Sequence, residues 1–246
     1  MEQELYDSVS ELQDRHWWFI ARRNFVKAIL SGRADPKDKS ILDIGCGSGS
    51  MIDFLKNYGE SVTGIDYSDY VLKLCSLRGH KMLVRGTVEK LPFSNESFDF
   101  VTSFEVLYHR EVGDDTKVIK ELYRVCKKGA MILIIDSAFN FLKGKHDDFA
   151  HGARRYTTGE LAAKLSSAGF VVKRAGYLYM CIFPLLCIVR FFKNVFLPKD
   201  KTSSELHETS QWLNRCMISI LKIESIISRK FNLPFGVSVF CLAEKV

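Results

Sequence analysis

The chain has 246 residues, 47% of them hydrophobic, which is enough for one substantial core with appendages. A net charge of +6, from 35 basic against 29 acidic residues, is mild and forms no basic stripe, so no nucleic-acid partner is expected. Seven scattered cysteines without a C-x-x-C pair read as reduced thiols in a cytosol, and the acidic start Met1-Glu2-Gln3-Glu4 carries no apolar signal segment.

Residues 1–30 are predicted to form one or two helices, with Leu5, Val9 and Leu12 on one face and Phe25, Val26, Ile29 and Leu30 on another. Between these faces lies His16-Trp17-Trp18-Phe19-Ile20-Ala21-Arg22-Arg23. This cluster is read either as a lid over a ligand or as aromatics packed on a sheet. Residues 31–39 then form a surface connection into the first strand.

Ile41-Leu42-Asp43-Ile44 reads as a buried strand that ends abruptly in Gly45-Cys46-Gly47-Ser48-Gly49. Met51, Phe54, Leu55 and Tyr58 continue at helical spacing to Gly59, a candidate left-handed C′ residue. A loop of this kind lets backbone N–H groups approach a ligand closely. Its alternating glycines lack the two-residue gap of a dinucleotide fingerprint, which weakens an NAD reading. Asp43, two residues before the first glycine, is placed to meet a cation such as an α-ammonium group. At the end of a second strand, Val62 to Asp66, the acid Asp66 is placed to accept both hydroxyls of a ribose. An adenosine with an amino-acid tail suits both acids.

Farther on come a capped helix from Ser68 to about Gly79, a strand at 81–84, and the loop Gly86-Thr87-Val88-Glu89-Lys90-Leu91-Pro92-Phe93. A strand at 98–103 then runs into Phe104-Glu105-Val106-Leu107-Tyr108-His109. A helix face ending at Cys126 is broken by Gly129 ahead of an apolar strand at 131–135. In order and spacing these blocks resemble the class I S-adenosylmethionine-dependent methyltransferase family, in its methyltransferase type 11 and ubiquinone-biosynthesis-like form, over roughly residues 36–180.

The resemblance implies a Rossmann-like α/β fold: a seven-stranded sheet with an antiparallel last strand at 237–243, an N-terminal helical lid over 1–35, and a helical insertion at 181–232. It implies S-adenosyl-L-methionine as cofactor, with S-adenosyl-L-homocysteine as product. Asp43, Gly45, Cys46, Gly47, Gly49, Asp66, Tyr67, Thr87, Val88, Phe104 and Glu105 are the cofactor-binding candidates, and Arg22 joins them for the carboxylate. Thr87 stands where many relatives carry an aspartate, so adenine contact there is expected to be weaker or to come from a backbone carbonyl. Trp18 is expected near the methyl group and the acceptor. His109, at a strand end with an ordinary imidazole pKa, is the candidate general base, beside the reading that it only supports the cleft.

The loop 143–156 gathers His146, Asp147, Asp148, His151, Arg154, Arg155 and Tyr156, of which His151, Arg154, Arg155 and Tyr156 are candidates for holding a polar acceptor. The His and Asp spacing fits no metal site, so none is expected. Thr157 and Glu160 form a capping box for a helix ending at Gly169, followed by a strand from Phe170. Fifteen uncharged residues, Ala175 to Val189, are too few to cross a bilayer. The segment 176–198, with its phenylalanines and basic residues, is expected either to pack on the domain or to rest peripherally on the inner membrane surface. A further helix over 211–230 precedes the last strand.

The function read from all this is methyl transfer, at oxygen, to a small-molecule, sugar or lipid-linked acceptor in the cytoplasm. The rival readings are a protein or RNA methyltransferase and a non-catalytic cofactor-binding scaffold.

Overall fold

The structure is a computed structural model that describes residues 3–32, 39–144, 151–196 and 209–246. His146, Asp147 and Asp148 lie outside the described residues, as do the side chains of Phe191, Phe192 and Phe196.

Two N-terminal helices, α1 (Gln3–Leu12) and α2 (Trp17–Ile29), precede β1 (Ser40–Ile44). Next come α3 (Ser50–Leu55), β2 (Ser61–Asp66), α4 (Asp69–Leu77), β3 (Leu83–Arg85), β4 (Phe98–Phe104), α5 (Asp115–Val125) and β5 (Cys126–Ser137). After a 3-10 turn at Asn140–Leu142 the chain forms α6 (Thr158–Ser167), β6 (Phe170–Leu178), α7 (Phe183–Phe196), α8 (Gln211–Ile227) and β7 (Ser238–Lys245). The seven strands make one sheet in the order β3-β2-β1-β4-β5-β7-β6. Pairs from β3 to β5 are parallel, and β7 runs antiparallel between β5 and β6.

Alternation along the strands divides the core in two. Leu42, Ile44, Ile132 and Ile134 face α5 and α6, whereas Ile41, Leu133 and Ile135 face α2 and α3. With both faces covered the strands are apolar throughout, which is why β1 and β5 were readable as continuous runs.

Helix signals hold where a side chain or a left-handed glycine stops or starts the helix. Ser68 Oγ accepts from the Val71 amide, Thr157 and Glu160 complete their capping box, and Gly79 and Gly169 follow their helices at φ of +89° and +105°. Gly59 behaves differently. Helix α3 has already ended at Leu55, and Gly59 is small because a Cβ there would meet Ile41 Cδ1 at 2.7 Å. Its need is close approach to β1, not a left-handed cap. Gly129, expected to separate helix from strand, lies within β5, which starts at Cys126 where the backbone is already extended. The uncharged run 175–189 is also divided, forming β6 up to Leu178 and α7 from Phe183. No helix among the described residues is long and apolar enough to cross a membrane.

Candidate active site

The parallel strands β1, β2 and β4 bring their carboxyl ends to one edge, where ligands of open α/β sheets bind. Register sets Asp43 beside Gly64 on one strand and Thr102 on the other. Its carboxylate is fully buried, and Thr102 Oγ1 donates to it at 2.7 Å. Burial pushes its pKa up to about 7, against the opposing pull of the Thr102 hydroxyl and of Arg22.

The loop after β1 needs glycine for two reasons, backbone conformation and close approach. Gly45, Gly47 and Gly49 all have left-handed φ, at +62°, +55° and +93°. A Cβ on Gly45 would strike Val106, and one on Gly49 would strike His80 and Cys75. One on Gly47 would meet nothing within 4 Å, so open space for a ligand begins at Gly47. Cys46 points the other way, buried with its thiol beside Cys75, and enters the site through its backbone. Asp66 closes the far side: Oδ2 accepts from the Gly47 amide at 3.2 Å and Oδ1 from the Ser68 amide at 3.1 Å. Burial raises its pKa and these amides oppose the rise.

The N-terminal helices roof this edge. Gln13 is buried and accepts from Ser48 Oγ in the glycine loop at 2.9 Å. Tyr6 sits within reach of the Asp66 charge: burial, followed by that charge, raises its phenol pKa. Arg22 reaches Glu105 at 3.7 Å, while its Nε is buried without a hydrogen-bond partner. Glu105 follows β4 at φ +58° and also accepts from Ser137 Oγ at 3.0 Å, and Tyr179, just past β6, has φ +63°. Two non-glycine residues in left-handed backbone at strand ends mark strain of the kind found at ligand sites. Asp136, at the end of β5, is wholly buried, and burial and then Glu105 hold its pKa well above the carboxylate range despite accepting amides from Tyr108 and Ser137.

The donor set fits S-adenosylmethionine. An acid suits an ammonium at Asp43, an acid suits vicinal hydroxyls at Asp66, and an orphaned guanidinium N–H at Arg22 suits a carboxylate. Phe104 is buried, Val88 is half-buried, and Tyr67 and Thr87 are exposed.

Other candidates are placed differently. Trp18 stacks on Tyr179 at 4.2 Å and 7°, and the Tyr179 hydroxyl donates to the Trp18 carbonyl. Tyr156 is buried, donating to Asp115 Oδ2 at 2.7 Å, Arg155 is buried and donates to the Ala138 carbonyl, and Arg154 donates to the Val112 carbonyl. These three side chains are engaged by the fold, and a parallel bridge between Ala138 and Tyr156 seats the loop against the end of β5. Tyr156→Phe is therefore expected to lower stability by about 1–2 kcal/mol in urea unfolding while leaving cofactor affinity unchanged; loss of affinity at intact stability would restore the ligand role.

His109 and His151 stack at 5.6 Å, and Arg110 reaches His151 Nδ1. Burial pushes the His109 pKa down to about 4, and its Nδ1 accepts the Glu111 amide at 3.3 Å. At neutral pH the ring is uncharged, and with Nδ1 accepting this amide its proton sits on Nε2, where it can donate. Among the described residues no cluster of His, Cys, Asp or Glu could hold a metal.

Sequence reasoning missed Tyr6, Gln13, Asp136 and Tyr179. Only Asp136 left a signal there, a carboxylate following an apolar strand.

A family model described as a methyltransferase domain matches residues 42–134. The chain is 34% identical over 133 residues to a ubiquinone biosynthesis O-methyltransferase of Nitrosomonas europaea, covering 52% of this chain and 54% of that one. It is 35% identical over 120 residues to a demethylmenaquinone methyltransferase of Staphylococcus aureus, covering 46% and 48%. The chain thus spans about half the length of these curated relatives. Among solved structures, a methyltransferase in complex with the Haloferax volcanii Trm112 methyltransferase activator superposes with a TM-score of 0.63 at 18% identity, covering 98% of this chain and 97% of that one. Glycine loop, paired acids, strand order and family match agree: the chain carries, at residues 42–134, the methyltransferase domain of the class I S-adenosylmethionine-dependent family.

Proposed function

We propose that this protein transfers a methyl group from S-adenosylmethionine to an oxygen of a small-molecule acceptor, with ring hydroxyls of quinol type first among the candidates and sugar or lipid-linked hydroxyls next. The observation that carries the cofactor half is Asp66, held by the Gly47 and Ser68 amides beside open space at Gly47. The acceptor half rests on the relatives, whose names place them in ubiquinone biosynthesis and on demethylmenaquinone.

When bound, the cofactor supplies an electrophilic methyl on a sulfonium. The protein's own work is placement, which lowers the barrier of an in-line displacement by holding the reacting atoms in line. Asp43 and Arg22 fix the two ends of the amino-acid tail, and Asp66 fixes the ribose. Gln13 and Tyr6 hold α1 against the loop and limit water at this edge. His109 presents an N–H and orients the acceptor oxygen, so its proton leaves by another group or by solvent.

The test is incubation of the full chain with S-adenosylmethionine and a panel of quinols, catechols, sugars, a peptide mixture and RNA, reading S-adenosylhomocysteine release. Turnover on the hydroxyl compounds supports the reading. Turnover confined to peptide or RNA overturns the acceptor, and tight cofactor binding without turnover on any class points to a scaffold. In the same assay His109→Gln, which keeps an N–H donor, is expected to retain at least about one-third of kcat, whereas His109→Leu loses about tenfold; equal large losses in both would make the imidazole a base.

A further inference from the structure

The expectation of a membrane-facing surface attached to the segment 176–198, yet the more telling surface is on α8. That helix has two apolar stripes. The inward one, with Met217 and Leu221, packs on the α2 side of the core. The outward one, Leu213, Ile220, Ile223 and Ile227, recurs at helical spacing and stands exposed, with Ile223 61% accessible. Trp212 at one end and Phe231 just past the other are 75% and 66% accessible. An apolar row of this length on a water-facing helix marks an interaction surface.

The charges beside it decide between partners. Arg215, Lys222 and Arg229 repeat every seventh residue along one border of the stripe, and Lys230 follows. The one acid of α8, Glu224, is buried and accepts the Met180 and Cys181 amides at 2.8 and 2.9 Å. A second copy docking through this stripe would bring basic rows together with no carboxylate on the helix to pair them. An anionic lipid surface suits both the stripe and its border.

A second feature lies at the same end. Arg229, Lys230, Asn232, Ser31 and Gly32 line an open polar hollow of about 540 Å³ beside Phe231. Arg174 at its base donates to the Ser228 and Phe231 carbonyls, covering the electronegative end of α8 that would otherwise repel an anion.

We propose that the outer face of α8 docks on an anionic phospholipid bilayer, lying in the headgroup plane with a lipid phosphate drawn into the hollow at its C-terminal end. The site stands independently of the methyl-transfer reading, though it supplies that reading with a route to a lipid-soluble acceptor. The Trp17 amide donates to Asn214 Oδ1 and Asn214 Nδ2 donates to the Arg15 carbonyl, so α8 is tied to the corner between α1 and α2, the roof of the cleft.

The test is flotation of the full chain with phosphatidylcholine vesicles with and without roughly one-third phosphatidylglycerol. Binding is expected only with the anionic lipid, falling about tenfold in about 0.5 M salt. Ile220→Glu with Ile223→Glu, both exposed, should abolish flotation without changing the melting temperature, and Arg229→Glu with Lys230→Glu should remove the preference for anionic lipid. Failure of the wild-type chain to float, equal binding to both vesicles, or a solution dimer dispersed by Ile223→Glu would overturn the proposal. None of these readings depends on turnover.

Discussion

Asp66→Ala is expected to weaken S-adenosylhomocysteine binding by about 1.5–3 kcal/mol, or roughly 10- to 150-fold, in calorimetric titration. The loss has two sources. The ribose hydroxyls lose a charged acceptor, and the Gly47 and Ser68 amides that Asp66 holds lose their anchor, so the loop can drift from the ligand. Asp66→Asn keeps an acceptor for only one of these two amides and loses the charge, and is expected to fall between wild type and alanine. Undiminished affinity in the alanine variant, with the fold intact by circular dichroism, would remove Asp66 from the site and with it the placement of the cofactor.

The second large effect is on stability and runs opposite to function. Folded Asp43 keeps its proton up to about pH 7, whereas the ordinary value is 3.8. Between these pH values the folded state binds more protons than the unfolded one, so stability falls as pH rises through the window and stays low above it. About three pK units correspond to about 4 kcal/mol. Asp43→Asn keeps an oxygen for Thr102 Oγ1 without this penalty. Without ligand, the Asp43→Asn variant is expected to exceed wild type by about 2–4 kcal/mol in urea unfolding at pH 8, with the gap narrowing by about 2–3 kcal/mol at pH 5. A gap that does not change with pH would mean that burial is not what holds the proton. The same variant should bind cofactor worse, since an amide does not pair with an ammonium, a trade of activity for stability common at charged sites.

Much of this site was legible because its residues act through backbone geometry and strand ends. Gly45, Gly47 and Gly49 announce left-handed turns, and Asp43 and Asp66 stand where apolar strands stop, so pattern and position gave both acids and the loop. Residues whose role depends on where a remote helix lies could not be read. Tyr6 and Gln13 are unremarkable positions at the N-terminal end of the chain until α1 is laid across the glycine loop, and the packing of Trp18 depends on Tyr179, 161 residues away. Polar loop residues pose the opposite problem. Arg154, Arg155 and Tyr156 looked like a binding set because sequence shows charge but not direction, and their partners, Val112, Ala138 and Asp115, are on other segments. Caps and periodicity placed the helices, whereas Gly59 shows how one residue type serves two geometries that only packing distinguishes.

The position of β7 between β5 and β6 has a consequence for how the chain comes into being. During synthesis β5 is complete at Ser137 and its neighbour β7 begins at Ser238, so the edge of β5 waits for about a hundred further residues, roughly 5–20 s of elongation. Until then the nascent protein has β1 to β5 available for parallel pairing, while β6 has no strand through which to join them. The apolar row at 131–135 is an open edge throughout this interval, the kind of template that draws other unfinished chains. Productive folding is thus completed last and from the far end, with the strand that seals the sheet arriving after every residue of the cofactor cleft has already been made.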